Sequence, residues 1–112
     1  LTATGIVLGT PEFMSPEQLR GKPLDPRTDI YSLGLMTVEL LTGQLPFAGK
    51  TQQDVMIARL KGEPRPIRAI RPDLGFSAAV ERVLLRSLAR DPGDRYATAP
   101  EFAQAFAQAA RS

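Results

Sequence analysis

Apolar residues crowd one stretch of this chain. From Asp29 to Gly43 the sequence reads DIYSLGLMTVELLTG, and on a helical wheel Ile30, Tyr31, Leu33, Leu35, Met36, Val38, Leu40 and Leu41 point in every direction. Glu39 is the only charge after Asp29. A helix apolar on all sides is one that other segments enclose. The spacing predicts a helix from near Asp29 to about Leu41, with Thr28 or Asp29 as its N-cap and Gly43 as its stop. A chain of 112 residues supplies few segments to enclose it, so the pattern implies a piece of a larger unit.

Three amphipathic stretches follow. Thr51 and Asp54 make a weak capping box that opens a helix through Leu60, with Val55, Met56 and Ala58 as its apolar residues and Gly62 as its end. Ser77 caps another, in which Val80, Val83, Leu84 and Leu88 share a face and Asp91-Pro92-Gly93 closes the run. Thr98, Pro100 and Glu101 form the clearest helix start in the chain, ahead of an apolar stripe of Phe102, Ala105, Phe106 and Ala109. Pro64, Pro66 and Pro72 forbid regular helix in the connector before Ser77. Ahead of the central helix, residues 1–28 are punctuated by Gly5, Gly9, Pro11, Pro16, Gly21, Pro23 and Pro26. They read as a long ordered loop with one short helix at Pro16–Arg20, following Ser15. No stretch alternates like a strand and nothing repeats, so the expected class is all-α.

Composition removes several chemistries. The chain has no Cys and no His, which excludes disulfides, thiol nucleophiles, most zinc sites and His-based acid–base catalysis on these residues. Asn is absent as well. Lys plus Arg exceed Asp plus Glu by 14 to 12, a net charge of +2 too small to argue for nucleic acid. No apolar run approaches the roughly 20 residues of a membrane span.

The run Gly9 to Glu17, GTPEFMSPE, carries a family resemblance. Together with the central helix, Leu45-Pro46-Phe47 and Asp91-Pro92-Gly93-Asp94-Arg95, it resembles the C-terminal lobe of a protein kinase, entered part-way through the activation segment. The resemblance covers essentially the whole chain: residues 1–28 would supply the end of the activation segment, the substrate loop and a short helix, and residues 29–112 the helices of the lobe. The wording of SPEQLRG and DPRTDIYSLG is similar to that of bacterial eukaryotic-like kinases.

The resemblance implies roles residue by residue. Gly9 and Thr10 are similar to the Ser/Thr-specific branch, in which the threonine hydroxyl bonds the catalytic Asp and a nearby Lys. Val7, Pro11 and Met14 match positions lining the pocket for the residue after the phosphorylated Ser or Thr, and imply an apolar residue there. Glu12 and Glu39 match positions that bind substrate arginines. Thr4 and Thr2 sit where related kinases carry autophosphorylated threonines. Glu17 and Arg95 resemble the ion pair tying the activation segment to the loop before the last helix. Asp29, a helix-start carboxylate, matches the residue that accepts hydrogen bonds from the catalytic-loop backbone, so Thr10 and Asp29 are expected to support catalysis rather than perform it. Tyr31 stands where the family often has Trp, and Met36 and Leu40 match positions supporting the column of apolar side chains beneath the adenine site.

Phosphoryl transfer needs a Gly-rich loop, a strand Lys, the H-R-D-x-x-x-x-N loop and the D-F-G metal Asp. None occurs here, and without His or Asn the catalytic loop has no place in this sequence. The expectation is therefore a part of a Ser/Thr protein kinase that transfers the ATP γ-phosphate to protein Ser or Thr. ATP and Mg²⁺ would serve the complete kinase and be bound by none of these residues, and the isolated chain would be inactive. A non-catalytic helical binding module and a pseudokinase fragment are the alternatives. The expected partners are a protein substrate, the remainder of the kinase domain and a second copy on the uncovered helix face, with no nucleic acid and no membrane segment. The need for ATP implies a cytoplasmic location, free or as the cytoplasmic part of a membrane-anchored kinase. Asp29 and part of the central helix's apolar face should be more exposed than its composition normally allows.

Overall fold

The computed structural model describes residues 11–111, the side chain of Pro11 excepted. All regular structure among them is helical: α1 spans Pro16–Leu19, α2 Pro26–Thr42, α3 Gln52–Lys61, α4 Ile67–Ile70, α5 Ala78–Ser87 and α6 Ala99–Arg111. Single 3-10 turns occur at Pro11–Phe13, Pro72–Leu74 and Pro92–Asp94.

Most helix starts follow from hydrogen-bonding side chains one step outside the helix. Ser15, Thr51, Ser77 and Thr98 each accept a backbone N–H from three residues on, at 3.0 to 3.2 Å. At Ser15 the box is reciprocal, because the Ser15 N–H donates to the Gln18 side chain. The central helix departs from the expectation at this end. Its N-cap is Asp25, whose carboxylate accepts the Arg27 N–H at 2.7 Å, and Pro26 occupies the first helical position, where no N–H is needed. Neither Thr28 nor Asp29 is the cap; both lie inside the helix, and the loop-to-helix boundary moves back to Asp25. The hydrophobic pattern missed it because the first turn is polar and carries no apolar periodicity. Gly43 ends the helix in the left-handed region, φ 80°, donating its N–H to the Glu39 carbonyl.

The connector also differs from the expectation. Pro66 does not prevent a helical turn at Ile67–Ile70, because it sits at the N-cap, where its missing N–H leaves no bond unmade. The turn buries Ile67 and Ile70 against the core.

α2 is the element the others pack on. Ile30, Tyr31, Leu35 and Val38 on its inner side are each about as buried as a residue can be, and they meet Val80, Leu84 and Leu88 from the α5 segment and Phe102 and Ala109 from α6. Contact between α2 and α5 is close because Gly34 faces Ser87: a Cβ placed on Gly34 would lie 2.2 Å from Ser87 Oγ. Burying these side chains stabilises the lobe by roughly 1.5 to 3 kcal/mol each before entropy is counted.

Among the described residues, the outer side of the same helix is less covered. Asp29 is exposed, Leu33 half-buried, Met36 40% exposed and Leu40 86% exposed. Steps of four, three and four residues put all of them on one stripe. An apolar stripe of this kind on the outside of the central helix is the mark of a surface another segment covers.

Candidate functional site

The geometry that stands out lies between Glu12 and Glu17, where a short irregular segment is gripped from several elements. Its carbonyls are taken by side chains that the fold brings from far along the chain. Ser32 on α2 donates its hydroxyl to the Phe13 carbonyl at 2.6 Å, and Arg59 on α3 donates Nη1 to the Met14 carbonyl at 2.7 Å. Ser15 then starts α1, which places Glu17 in the first turn facing inward.

Glu17 meets Arg95 in a buried, two-pronged ion pair. Arg95 Nη1 donates to Glu17 Oε2 at 2.6 Å and Nη2 to Oε1 at 2.8 Å. Every remaining guanidinium donor is used too: Nε reaches the Ala89 carbonyl, Nη1 the Arg27 carbonyl and Nη2 the Arg90 carbonyl. The guanidinium also lies over the Tyr31 ring, 4.8 Å from its centroid. Thr28 completes the carboxylate's partners by donating its hydroxyl to Oε2 at 2.8 Å. One arginine thus joins α1, the start of α2 and the loop between α5 and α6. Burial pushes the Glu17 carboxyl up, but the Arg95 bonds, the backbone and the Thr28 hydroxyl outweigh it and bring the pKa down to about 2. Burial likewise pushes the Tyr31 phenol up, beyond its ordinary range.

The other residues named from the sequence fall in different places. Glu12 is exposed in the Pro11–Phe13 turn, which Pro11 begins, and Met14 is half-buried below it. Glu39 is exposed on α2, and Asp29 is exposed in the same helix's first turn. Glu12 and Arg59 line one cavity of about 290 Å³ together with Leu45, Phe47, Lys50 and Val55. Thr2, Thr4, Val7, Gly9 and Thr10 lie outside the described residues.

Sequence reasoning did not find Ser32 or Arg59, and it offered Thr28 as a helix cap and not as a partner of Glu17. Their spacing from the segment they hold is long, and nothing local distinguishes them from surface polar residues. Arg59 carried one usable signal: it breaks the apolar run of α3 on the side that faces inward. Among the described residues, no group of three or more acidic or His side chains converges as a metal site. What the arrangement does offer is a rigid ledge, Glu12 to Glu17, mounted on the central helix.

A ledge fixed by a buried Glu–Arg pair, on an all-helical lobe built round one apolar helix, is the arrangement of a protein-kinase type of lobe. The chain belongs to the protein kinase domain family, whose model matches residues 3–107. It is 46% identical over 102 residues to the serine/threonine-protein kinase pkn3 of Myxococcus xanthus, covering 91% of this chain and 19% of that protein. It is 45% identical over 105 residues to the tyrosine-protein kinase MasK of the same species, covering 94% of this chain and 16% of that protein. The PknI kinase domain of Mycobacterium tuberculosis, solved as a double mutant, superposes with a TM-score of 0.67 at 32% identity, over 91% of this chain and 35% of that structure. The chain therefore spans about a fifth or less of the curated relatives it matches.

Proposed function

We propose that these residues form the substrate-docking loop and helical scaffold of a Ser/Thr protein kinase that transfers the γ-phosphate of ATP to protein hydroxyls. The observation that carries this reading is the outer stripe of α2, where among the described residues Asp29, Met36 and Leu40 stay exposed and Leu33 is half-buried, opposite a face that is fully enclosed. The remainder of a kinase domain is the cover it fits: Asp29 would accept hydrogen bonds from a catalytic loop, and Met36 and Leu40 would support the column of apolar side chains beneath the adenine site. In this division residues 1–28 are the end of the activation segment with its substrate loop, and residues 29–112 the supporting helices. The side chains at Val7, Pro11 and Met14 would receive an apolar substrate residue, Glu12 and Glu39 would favour basic ones, and Thr4 and Thr2 would take phosphate.

In the mechanism proposed, this chain does no bond making. ATP and Mg²⁺ supply the transferable phosphoryl group and its charge neutralisation, and both would be held by residues other than these 112. The contribution here is positional: the Glu17–Arg95 pair, Ser32 and Arg59 hold the ledge so that a substrate hydroxyl is presented in a fixed register, which is where most of the advantage in phosphoryl transfer arises. Gly9 and Thr10 support the Ser/Thr choice. The 45% identity to a tyrosine-protein kinase means that overall likeness in this region does not decide it. The need for ATP places the kinase's activity in the cytoplasm.

Incubating the full-length protein with labelled ATP, Mg²⁺ and a peptide bearing Ser, Thr and Tyr, followed by phosphoamino-acid analysis, tests this. Phosphoserine or phosphothreonine is expected, and none from the 112 residues alone. Phosphotyrosine only, no transfer by the intact protein, or transfer by the isolated chain would each overturn the proposal.

A further inference from the structure

α3 is attached to the rest of the lobe in an unusual way. Its one fully buried side chain is charged: Arg59 is 2% exposed, whereas Val55, Met56 and Ala58 are only partly covered. A buried guanidinium carries a desolvation cost that a leucine or methionine there would avoid. One bond that offsets it runs from Nη1 to the Met14 carbonyl, charge-assisted and 2.7 Å long. The carboxylate of Glu12 lies on the same side and favours the charge, although burial still leaves Arg59 less basic than an ordinary arginine.

The far end of α3 is held by the same chemistry. Arg20, just after α1, donates to the Leu60 carbonyl at 3.4 Å, and Arg90, in the loop after α5, donates to the Gly62 carbonyl at 2.8 Å. Cations at a helix C-terminus satisfy carbonyls that the helix leaves unbonded and oppose its dipole. The element packs on the Pro11–Phe13 turn and on α1, both parts of the substrate-side ledge. α3 is therefore tied by arginines to the ledge, to the end of α1 and to the loop after α5, while Val55 and Ala58 pack only partly buried against the core. Ser32 fixes the ledge at Phe13 from α2, and Arg59 fixes the next residue from α3.

We propose that Arg59 is a positioning residue for substrate, which sets the placement of Met14 and so of the pocket beside the phospho-acceptor, and makes that pocket responsive to the position of α3. The substrate part of this rests on the kinase reading above; the tie between α3 and the ledge does not. Arg59 acts through the Met14 backbone and touches no reacting atom.

The test uses the full-length protein with Arg59→Met, which keeps bulk but no donor, and Arg59→Lys, which keeps one charged donor. Hydrogen exchange of amides 12–15 should quicken in Arg59→Met while α5 and α6 stay as in the parent. In steady-state kinetics the KM for a peptide substrate should rise about tenfold, as expected for losing one charge-assisted hydrogen bond, with the KM for ATP unmoved. Arg59→Lys should recover most of both effects, and it carries the comparison if Arg59→Met does not fold. Unchanged exchange overturns the tie. Faster exchange with unchanged peptide KM overturns the substrate role, as does an Arg59→Lys no better than Arg59→Met. A parent protein with no transfer at all refutes the kinase reading instead, and the exchange result still decides the tie.

Discussion

Neutralising Glu17 while keeping its shape isolates what the buried ion pair contributes. In Glu17→Gln the Thr28 bond can persist, but Arg95 faces an amide where a carboxylate stood, with its three backbone carbonyls and the Tyr31 face still in place. The Glu17 carboxyl is lowered from an ordinary 4.5 to about 2. Each tenfold step is worth about 1.4 kcal/mol, so the charged form contributes about 3 kcal/mol at neutral pH. Breaking a buried pair by removing one partner costs on the order of 3 to 5 kcal/mol, which agrees. Because the folded pKa is the depressed one, the unfolded state binds more protons as the medium turns acid. The contribution is complete above about pH 4.5 and is lost as pH falls towards 2. Equilibrium denaturant unfolding of parent and Glu17→Gln, from pH 7 down to pH 2, reads this directly. The gap between them should be about 3 kcal/mol at pH 7 and should close in acid, where the protonated glutamic acid resembles the amide. A gap under about 1 kcal/mol at pH 7, the range of an exposed pair, or one that persists unchanged to pH 2, would refute the reasoning.

Two further outcomes follow from packing and exposure. Gly34→Ala should destabilise the lobe by about 1 to 3 kcal/mol through the close approach to Ser87 Oγ, and pairing it with Ser87→Ala should recover part of the loss in thermal unfolding, since the Ser87 Cβ and Leu88 Cδ2, each at 3.1 Å, then remain against it; a Gly34→Ala protein as stable as the parent would contradict the helix contact. Leu40→Asp should leave the stability of these 112 residues within about 0.5 kcal/mol, as befits a residue 86% exposed, yet cut phosphoryl transfer by the full-length protein, and equal activity of the two proteins would count against the proposed cover of the α2 stripe.

The helix ends were legible because they are local. Ser15, Thr51, Ser77, Thr98 and Gly43 each act within about one turn of themselves, so residue type and spacing are enough to place them. Asp25 and Pro26 obey the same rules, but apolar periodicity begins only at Ile30 and so sets the expected helix start too late. Glu17 and Arg95 could be paired on paper through the family resemblance of their motifs. That they are buried, and that Arg95 also takes three carbonyls and a ring face, depends on segments meeting from distant parts of the chain.

Arg59 shows the limit most clearly. In the sequence it is one arginine among many on an amphipathic helix, and snorkelling to solvent would be its ordinary fate. Only the folded arrangement places the Met14 carbonyl within 2.7 Å and closes water out. The apolar surplus of the central helix was likewise plain from composition, since eight apolar side chains cannot share one face of four turns. Which side would be left open was a matter for the tertiary structure: α5 and α6 cover the face bearing Ile30, Tyr31, Leu35 and Val38, while among the described residues Met36 stays 40% and Leu40 86% exposed. Local chemistry dictates where helices start and stop; which of their faces meet, and which polar groups are thereby taken out of water, is decided by contacts between residues that the sequence keeps far apart.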